Sequence, residues 1–127
     1  MRILGIDYGH KRIGLAVSDE SQTFARELSI LSPKIFWEKL NDILLDHQIE
    51  QIVVGLPLNM SGGKTEKTRE VEQFISDLEA QIDLPVETMD ERLTSAMAAK
   101  ISGSQKNLDS LAAQILLQNY LDKTKSV

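Results

Sequence analysis

The chain has 127 residues, 42% of them hydrophobic and 26% charged, which is typical of a single soluble globular domain with a sizeable core. It contains no cysteine, which excludes a disulfide framework and a thiolate zinc site. The formal net charge of −5 argues against a protein that coats nucleic acid non-specifically, since such binding depends on Lys and Arg. No apolar run reaches the ~20 residues that span a bilayer, and the N-terminus lacks a signal peptide, so we expect a cytoplasmic protein.

The hydrophobic pattern predicts three strands followed by alternating helices and strands. The first strand is apolar and ends at Asp7, and Gly9 opens the turn into a second strand, which completes a hairpin. Ser32 and Pro33 mark the N-cap and first position of a helix. A near-continuous apolar run at 52–56 favours a central parallel strand. The predicted strands end at 7 and span 13–18, 24–30, 52–56 and 85–89; the predicted helices start at 33, contain 71–82, and span 94–101 and 108–121.

This order of elements predicts an α/β fold with a mixed five-stranded sheet, in which three antiparallel strands precede an αβαβ unit, flanked by helices. We expect one domain over residues 1–122 and a frayed tail at 123–127. On the third strand, the residues expected to share one face are Phe24, Leu28 and Ile30. On the last helix, the expected buried face consists of Leu108, Leu111, Ala112, Ile115 and Leu116.

Polar side chains follow the ends of several predicted strands. A strand reached by a parallel crossover lies beside the first strand, so the carboxyl ends of these strands share one edge of the sheet. Asp7 ends the first strand, Asn59 follows the fourth, and Asp90-Glu91 end the fifth. Asp109 lies in the first turn of the last helix. The sequence therefore predicts a polar rim at this edge.

Each acid also has a structural interpretation. Asp7 is equally compatible with a turn aspartate that accepts backbone N–H groups, although Gly5 on the same strand face leaves open space beside it. The negative charge of Asp109, in the first turn of a helix, interacts favourably with the helix dipole. The run 90–92 is compatible with a solvated charge cluster. Three acids within a few ångströms would repel one another unless a cation intervened. Oxygen ligands without cysteine or a nearby histidine favour Mg²⁺ or Mn²⁺.

Basic residues occur in three clusters, which are Lys11-Arg12, Lys64-Lys67-Arg69 and Lys100-Lys106. All are compatible with solvated faces, but the first two lie close in sequence to the predicted rim. Gly62-Gly63 precede a helix N-terminus, which can offer backbone N–H groups to a phosphate, although the spacing is not that of a P-loop.

Four segments in this order, "GIDYGHKRIGLAVSD", "VVGLPLNMSGG", "DERLT" and "LDSLAAQILLQNYLD", resemble the RuvX (YqgF) family of bacterial RNase H-like proteins. The family is described as Holliday junction resolvases and as nucleases that mature the 5′ end of 16S rRNA. The resemblance implies an RNase H-like fold and two-metal phosphodiester hydrolysis with Mg²⁺ or Mn²⁺. The acids that it implies as catalytic metal ligands are Asp7, Glu91 and Asp109. The residues that it implies as holding the scissile strand or supporting the ligands are Arg12, Asn59, Lys64 and Arg92.

The sequence departs from the family pattern in two places. His10 stands where the family usually has a small residue such as threonine. Only 18 positions separate Glu91 from Asp109, fewer than is usual, and the basic segment normally found there is reduced to "SGSQKN" with one lysine. The short segment and the negative net charge concern the affinity for nucleic acid. Neither affects the assignment of the three acids.

The leading hypothesis is a metal-dependent endonuclease that acts on structured RNA, above all in 5′-end maturation of pre-16S rRNA. One alternative is a Holliday junction resolvase that cuts four-way DNA junctions as a homodimer, because symmetric cleavage needs two active sites. A second is a non-catalytic nucleic-acid-binding module on a nuclease fold. "GIDYG" with its hairpin also resembles the phosphate loop of actin/Hsp70-like ATPases, but those need two such domains and this chain has one. The sequence leaves open whether the protein is a monomer or a homodimer.

Overall fold

The structure, a computed structural model, describes residues 1–90 and 108–125, and side chains over 1–90 and 111–124. The short helix expected at 94–101 lies outside the described residues. The elements are β1 Arg2–Asp7, β2 Ile13–Ser18, β3 Ala25–Leu31, α1 Pro33–Asp46, β4 Ile49–Leu56, α2 Glu66–Gln81, β5 Val86–Asp90 and α3 Leu108–Lys125.

The five strands form one mixed sheet in the order β3-β2-β1-β4-β5. The strand β1 pairs antiparallel with β2 and parallel with β4, and β4 pairs parallel with β5. This topology confirms the predicted sheet and the central, parallel position of β4. The helix α1 begins as expected, with Ser32 as the N-cap accepting from the backbone of Ile35 and Pro33 in the first turn.

The helices cover both faces of the sheet. The helices α1 and α2 share one core with the sheet, in which Phe36, Phe74 and Leu78 are buried among strand residues such as Leu4. The helix α3 packs on the opposite face of β1, β2 and β4, in a second core that contains Leu117. In the part of the chain that the structure describes, no helix is long and apolar enough to cross a membrane.

Gly5 brings α3 directly onto β1. A Cβ built on Gly5 would lie 2.9 Å from the Cβ of Leu117 and 3.5 Å from the carbonyl oxygen of Ala113. The prediction of open space beside Gly5 is therefore wrong, because α3 occupies this space. Gly5 is a packing glycine that permits close helix–strand approach.

The predicted start of the third strand is also wrong. Asp19 Oδ1 accepts from the backbone N–H groups of Thr23 and Phe24, and the Asp19 N–H donates to the Phe24 carbonyl. The chain is therefore still in a turn at Phe24, whose side chain is 68% exposed, and β3 begins at Ala25. Phe24 does not share the strand face with Leu28.

The last helix extends further and buries a broader face than expected. It runs to Lys125, so residues 123–125 belong to it and not to a frayed tail. Its buried residues in the described part are Ala112, Ala113, Leu116, Leu117 and Leu121. The prediction holds for Ala112 and Leu116, while Leu111 and Ile115 are only half-buried and Leu108 has no described side chain.

Tyr120 ties α3 to the two strands at the β5 edge of the sheet. Its hydroxyl accepts from Gln51 Nε2 at 2.7 Å and donates to Glu87 Oε2 at 2.6 Å. Burial, reinforced by the neighbouring Glu87 carboxylate, raises the pKa of Tyr120 above its ordinary value of 10.0.

This raised pKa predicts a loss of stability at alkaline pH. The folded state favours the neutral phenol, so its contribution is full below pH 10.0 and falls as the pH rises through the folded-state pKa. In ultraviolet titration, the transition of Tyr120 should lie above pH 10, and Tyr120→Phe should remove it. A Tyr120 that titrates at its ordinary pKa in the folded protein would contradict the burial of its hydroxyl between Gln51 and Glu87.

Candidate active site

Three parallel strands end at one edge of the sheet, which we call the rim. The strand β1 ends at Asp7, β4 at Leu56 and β5 at Asp90. The register pairs Ile6 with Val54, and Leu56 with Asp90, so these three ends lie side by side. Glu91 directly follows Asp90 in the sequence, but it lies outside the described residues, as does Arg92. The predicted common edge is confirmed for the residues that the structure describes.

The helix α3 approaches the rim from the face of β1 that carries Asp7. Tyr120 contacts Gln51, which pairs with Ile3 near the start of β1, whereas Ala113 and Leu117 lie over Gly5. The helix therefore runs toward Asp7 as its residue numbers fall.

Helix and strand rises place the start of α3 beside the end of β1. Two residues of strand from Gly5 to Asp7 span about 6.6 Å. Four residues of helix from Ala113 back to 109 span about 6 Å. From these rises we expect the backbone at position 109 at about the level of Asp7, a half-buried residue on the strand face shared with Gly5. The side chain of Asp109 is outside the described part.

The turn between β1 and β2 carries Arg12 next to the rim. A Cβ on Gly9 would lie 2.6 Å from the carbonyl oxygen of Arg12, so only glycine fits where the turn closes on itself. The Tyr8 ring stacks on Phe74 with centroids 4.4 Å apart, which joins this turn to α2. Arg12 is exposed at the surface of the turn.

The loop between β4 and α2 holds Asn59 in a structural role. Asn59 Oδ1 accepts from the Ser61 N–H at 3.1 Å, the Ser61 hydroxyl at 2.7 Å and the Gly63 N–H at 2.7 Å. Backbone bonds join Asn59 to Gly62 and Gly63, and Gly62 has a φ of 88°. The side-chain oxygen of Asn59 is therefore occupied within its own loop.

Lys64 is also engaged, because its Nζ lies 2.8 Å from Glu72 Oε2 in α2. The pair is exposed, with 58% of the Lys64 side chain accessible, so it is a weak constraint that a phosphate can displace. Thr65 then caps α2 through a reciprocal capping box with Thr68. The loop therefore places the ammonium group of Lys64 just before the N-terminus of α2, which Thr65 caps.

Substitutions at Asn59 test whether its side-chain oxygen holds the loop in place. Asn59→Ala removes three accepted hydrogen bonds and should loosen residues 58–64, seen as faster amide exchange at Ser61 and Gly63, with a loss of about 1 kcal/mol in the free energy of unfolding. Asn59→Asp keeps the acceptor oxygens and should retain slow exchange. Equal exchange in the wild type and Asn59→Ala would contradict this role.

Among the described residues there is no group of three histidine, cysteine, aspartate or glutamate side chains that could hold a metal ion. Of the three predicted ligands, only Asp7 has a described side chain. The assignment of Glu91 and Asp109 as ligands, and of Arg92 as a supporting residue, therefore stays a prediction.

Sequence reasoning missed one feature next to the rim. A cleft between the β1–β2 turn and α2 is lined by Gly9, His10, Lys11, Arg12 and Lys67. The basic clusters were visible in the sequence, but nothing in it placed Lys67 beside the turn. The stacking of Tyr8 on Phe74 joins this turn to α2, and no local pattern encodes such a contact between residues distant in sequence.

Solved structures of Holliday junction resolvases share this fold. The chain superposes on T. thermophilus RuvC in complex with a Holliday junction substrate with a TM-score of 0.56, covering 99% of this chain and 98% of that one at 16% identity. For the Fowlpox virus resolvase in complex with Holliday junction DNA, the TM-score is 0.59, with 99% and 100% covered at 15% identity. The fold is therefore RNase H-like, as the sequence predicted.

A model of the family described as "RuvX: Holliday junction resolvase" matches residues 1–123. A protein of Maridesulfovibrio salexigens named "Putative pre-16S rRNA nuclease" is 39% identical, with 95% of this chain and 98% of the relative covered. A Sulfurihydrogenibium protein of the same name is 41% identical, covering 96% and 90%. The chain belongs to the RuvX family, and the expected family membership is confirmed.

Proposed function

We propose that this protein is a metal-dependent endonuclease that cleaves pre-16S rRNA in the maturation of its 5′ end. The observation that carries the proposal is that Asp7 and the end of β5 lie at one edge of the sheet, toward which α3 runs as its residue numbers fall. This edge is where α/β folds usually bind their substrates.

The residues that would hold two Mg²⁺ or Mn²⁺ ions are Asp7, Glu91 and Asp109. Their carboxylate oxygens are the donors that these hard cations prefer, and cations would relieve the repulsion among three clustered acids. When bound, such ions supply an activated water and charge stabilisation at the leaving oxygen. Asp7 meets the requirement for a rigid ligand, because it lies on a central strand paired on both sides.

The cationic side chains near the rim would hold the RNA strand. Arg12 lies on a turn fixed by Gly9, and Lys64 lies at the start of α2, so both can contact phosphates from elements of the fold that are already ordered. Arg92 follows Glu91 and would act at the same edge. We assign Asn59 to support of the loop that carries Lys64, since its side-chain oxygen is used within that loop.

The name shared by the relatives supports RNA as the substrate, and their identity over nearly the full chain supports the transfer of that activity. The proposal places the protein in the cytoplasm, where ribosomes are assembled. The Holliday junction alternative draws on the family description and the resolvase-like fold, and it requires a homodimer with two active sites.

A competition assay tests the proposal. The purified protein is given a labelled precursor of the 16S 5′ region, an unstructured RNA and a four-way DNA junction, each with Mg²⁺, with Mn²⁺ or with EDTA. We expect the protein to cut the precursor alone, and EDTA to abolish the cutting. Cutting should not require a dimer, so it should also be seen where light scattering shows a monomer. Preferential symmetric cutting of the junction by a dimer would overturn it in favour of the resolvase, and tight binding without cutting would indicate a binding module.

A further inference from the structure

The basic cleft beside the rim concentrates positive charge on an acidic protein. It has a volume of about 190 Å³ and is lined by Lys11, Arg12 and Lys67, together with His10 and Gly9. Among the described residues no carboxylate lines it, although the chain carries a net charge of −5. Such a local excess of cations in a concave site attracts and concentrates anions.

Two ordered elements hold these cations in place. Gly9 allows the turn to close on the carbonyl oxygen of Arg12, which fixes the path of Lys11 and Arg12. Lys67 comes from the first turn of α2, whose N-terminus is fixed by the Thr65 capping box. Since the backbone is already ordered, binding an anion does not require these segments of the chain to fold.

The size of the cleft is compatible with a small anionic group. Its volume is well below the 300–1,000 Å³ typical of sites that enclose a whole small molecule, yet it exceeds the ~30 Å³ occupied by one water several times over. A single phosphate group is of suitable size and charge. Arg offers planar paired donors to phosphate oxygens, and Lys offers a compact positive charge.

We propose that this cleft binds one backbone phosphate of the nucleic-acid strand, away from the phosphate that is cleaved, with Lys67 and Lys11 acting beside Arg12. The turn that lines the cleft follows Asp7 directly, so a strand lying across the rim also passes the cleft. The inference rests on the proposed function for its choice of a nucleic-acid strand as the source of the phosphate. The cleft adds a strand-positioning contact that the three acids do not provide.

Binding measured without cleavage tests the cleft. Fluorescence anisotropy of a labelled single-stranded RNA is recorded in EDTA at several salt concentrations for the wild type, Lys67→Gln and Lys67→Arg. Loss of one phosphate contact should weaken binding and reduce the slope of log K against log salt by about 0.7. Lys67→Arg should retain most of the slope. The matched control is Lys39→Gln, an exposed lysine in the middle of α1, which should bind like the wild type.

A second arm identifies the source of the phosphate. ATP and inorganic phosphate are titrated against the RNA complex, and ATP binding is measured directly in the wild type and Lys67→Gln. Weak, salt-like competition by both supports a strand phosphate. RNA binding that is absent, or that is identical in Lys67→Gln and the wild type, overturns the proposal, as does stoichiometric ATP binding that Lys67→Gln removes. Because the binding assay contains no metal, RNA that is bound through the cleft in EDTA and stays uncut when Mg²⁺ or Mn²⁺ is added would contradict the nuclease and leave this inference standing.

Discussion

Asp7→Asn is expected to reduce metal-dependent cleavage by at least about a hundredfold while the protein stays folded. Even residues that only orient a metal ligand typically contribute 10–100-fold, and Asp7 is proposed as a ligand itself. An asparagine keeps the shape of the side chain but offers a neutral oxygen in place of a carboxylate. The effect should therefore fall on cleavage and metal affinity, and not on the packing of β1.

The matched control for this substitution is Asp42→Asn, which removes the same charge from an exposed position on α1. Both variants are compared with the wild type by single-turnover cleavage in Mg²⁺, and by thermal melting. Asp42→Asn should cleave normally, and both should melt close to the wild type. Wild-type cleavage by Asp7→Asn would remove Asp7 from the active site and return it to the role of a turn residue.

Gly5→Ala is expected to lower the free energy of unfolding by about 1–3 kcal/mol, the range for adding a methyl group to a packed core. Replacing glycine with alanine also restricts the unfolded chain, which favours folding by about 0.4–1 kcal/mol. The clash dominates, because the new Cβ would lie 2.9 Å from the Leu117 Cβ, an atom fixed to the helix backbone. The helix α3 must move away from β1.

That displacement connects packing to activity. Position 109 lies one turn before Ala113, so a shift of α3 also moves the proposed ligand Asp109 relative to Asp7. Urea unfolding gives the stability of Gly5→Ala, and cleavage well below its melting temperature gives the activity. We expect both to fall. A variant that is as stable and active as the wild type would show that α3 does not constrain the site through Gly5.

Much of the fold follows from local patterns in the sequence. The continuous apolar run of β4 predicted a central strand because both faces are covered, and Ser32-Pro33 fixed the start of α1 through capping chemistry. The broad face of α3 did not follow from the sequence. Leu and Ala occur on most sides of that helix, so its period does not distinguish the stripe with Ile115 from the stripe with Leu117.

The candidate site was predictable to a different extent. The hydrophobic pattern predicted that β1 ends at Asp7. The crossover rules predicted the strand order, and with it the edge of the sheet at which Asp7 lies. Asn59 was expected to contact substrate, but its hydrogen bonds depend on how a loop folds back on itself, which no period encodes. Lys67 lines one cleft with the β1–β2 turn, and the Tyr8–Phe74 contact that joins this turn to α2 is between residues distant in sequence.

If Asp7, Glu91 and Asp109 together hold divalent cations at the rim, each of the three should contribute to metal affinity. The most direct measurement is a calorimetric titration of the wild type with Mn²⁺ in the absence of nucleic acid, repeated for Asp7→Asn, Glu91→Gln and Asp109→Asn. We expect saturable binding in the wild type, and a loss of affinity of about tenfold or more in every variant. Mn²⁺ affinity unchanged by all three substitutions would contradict it.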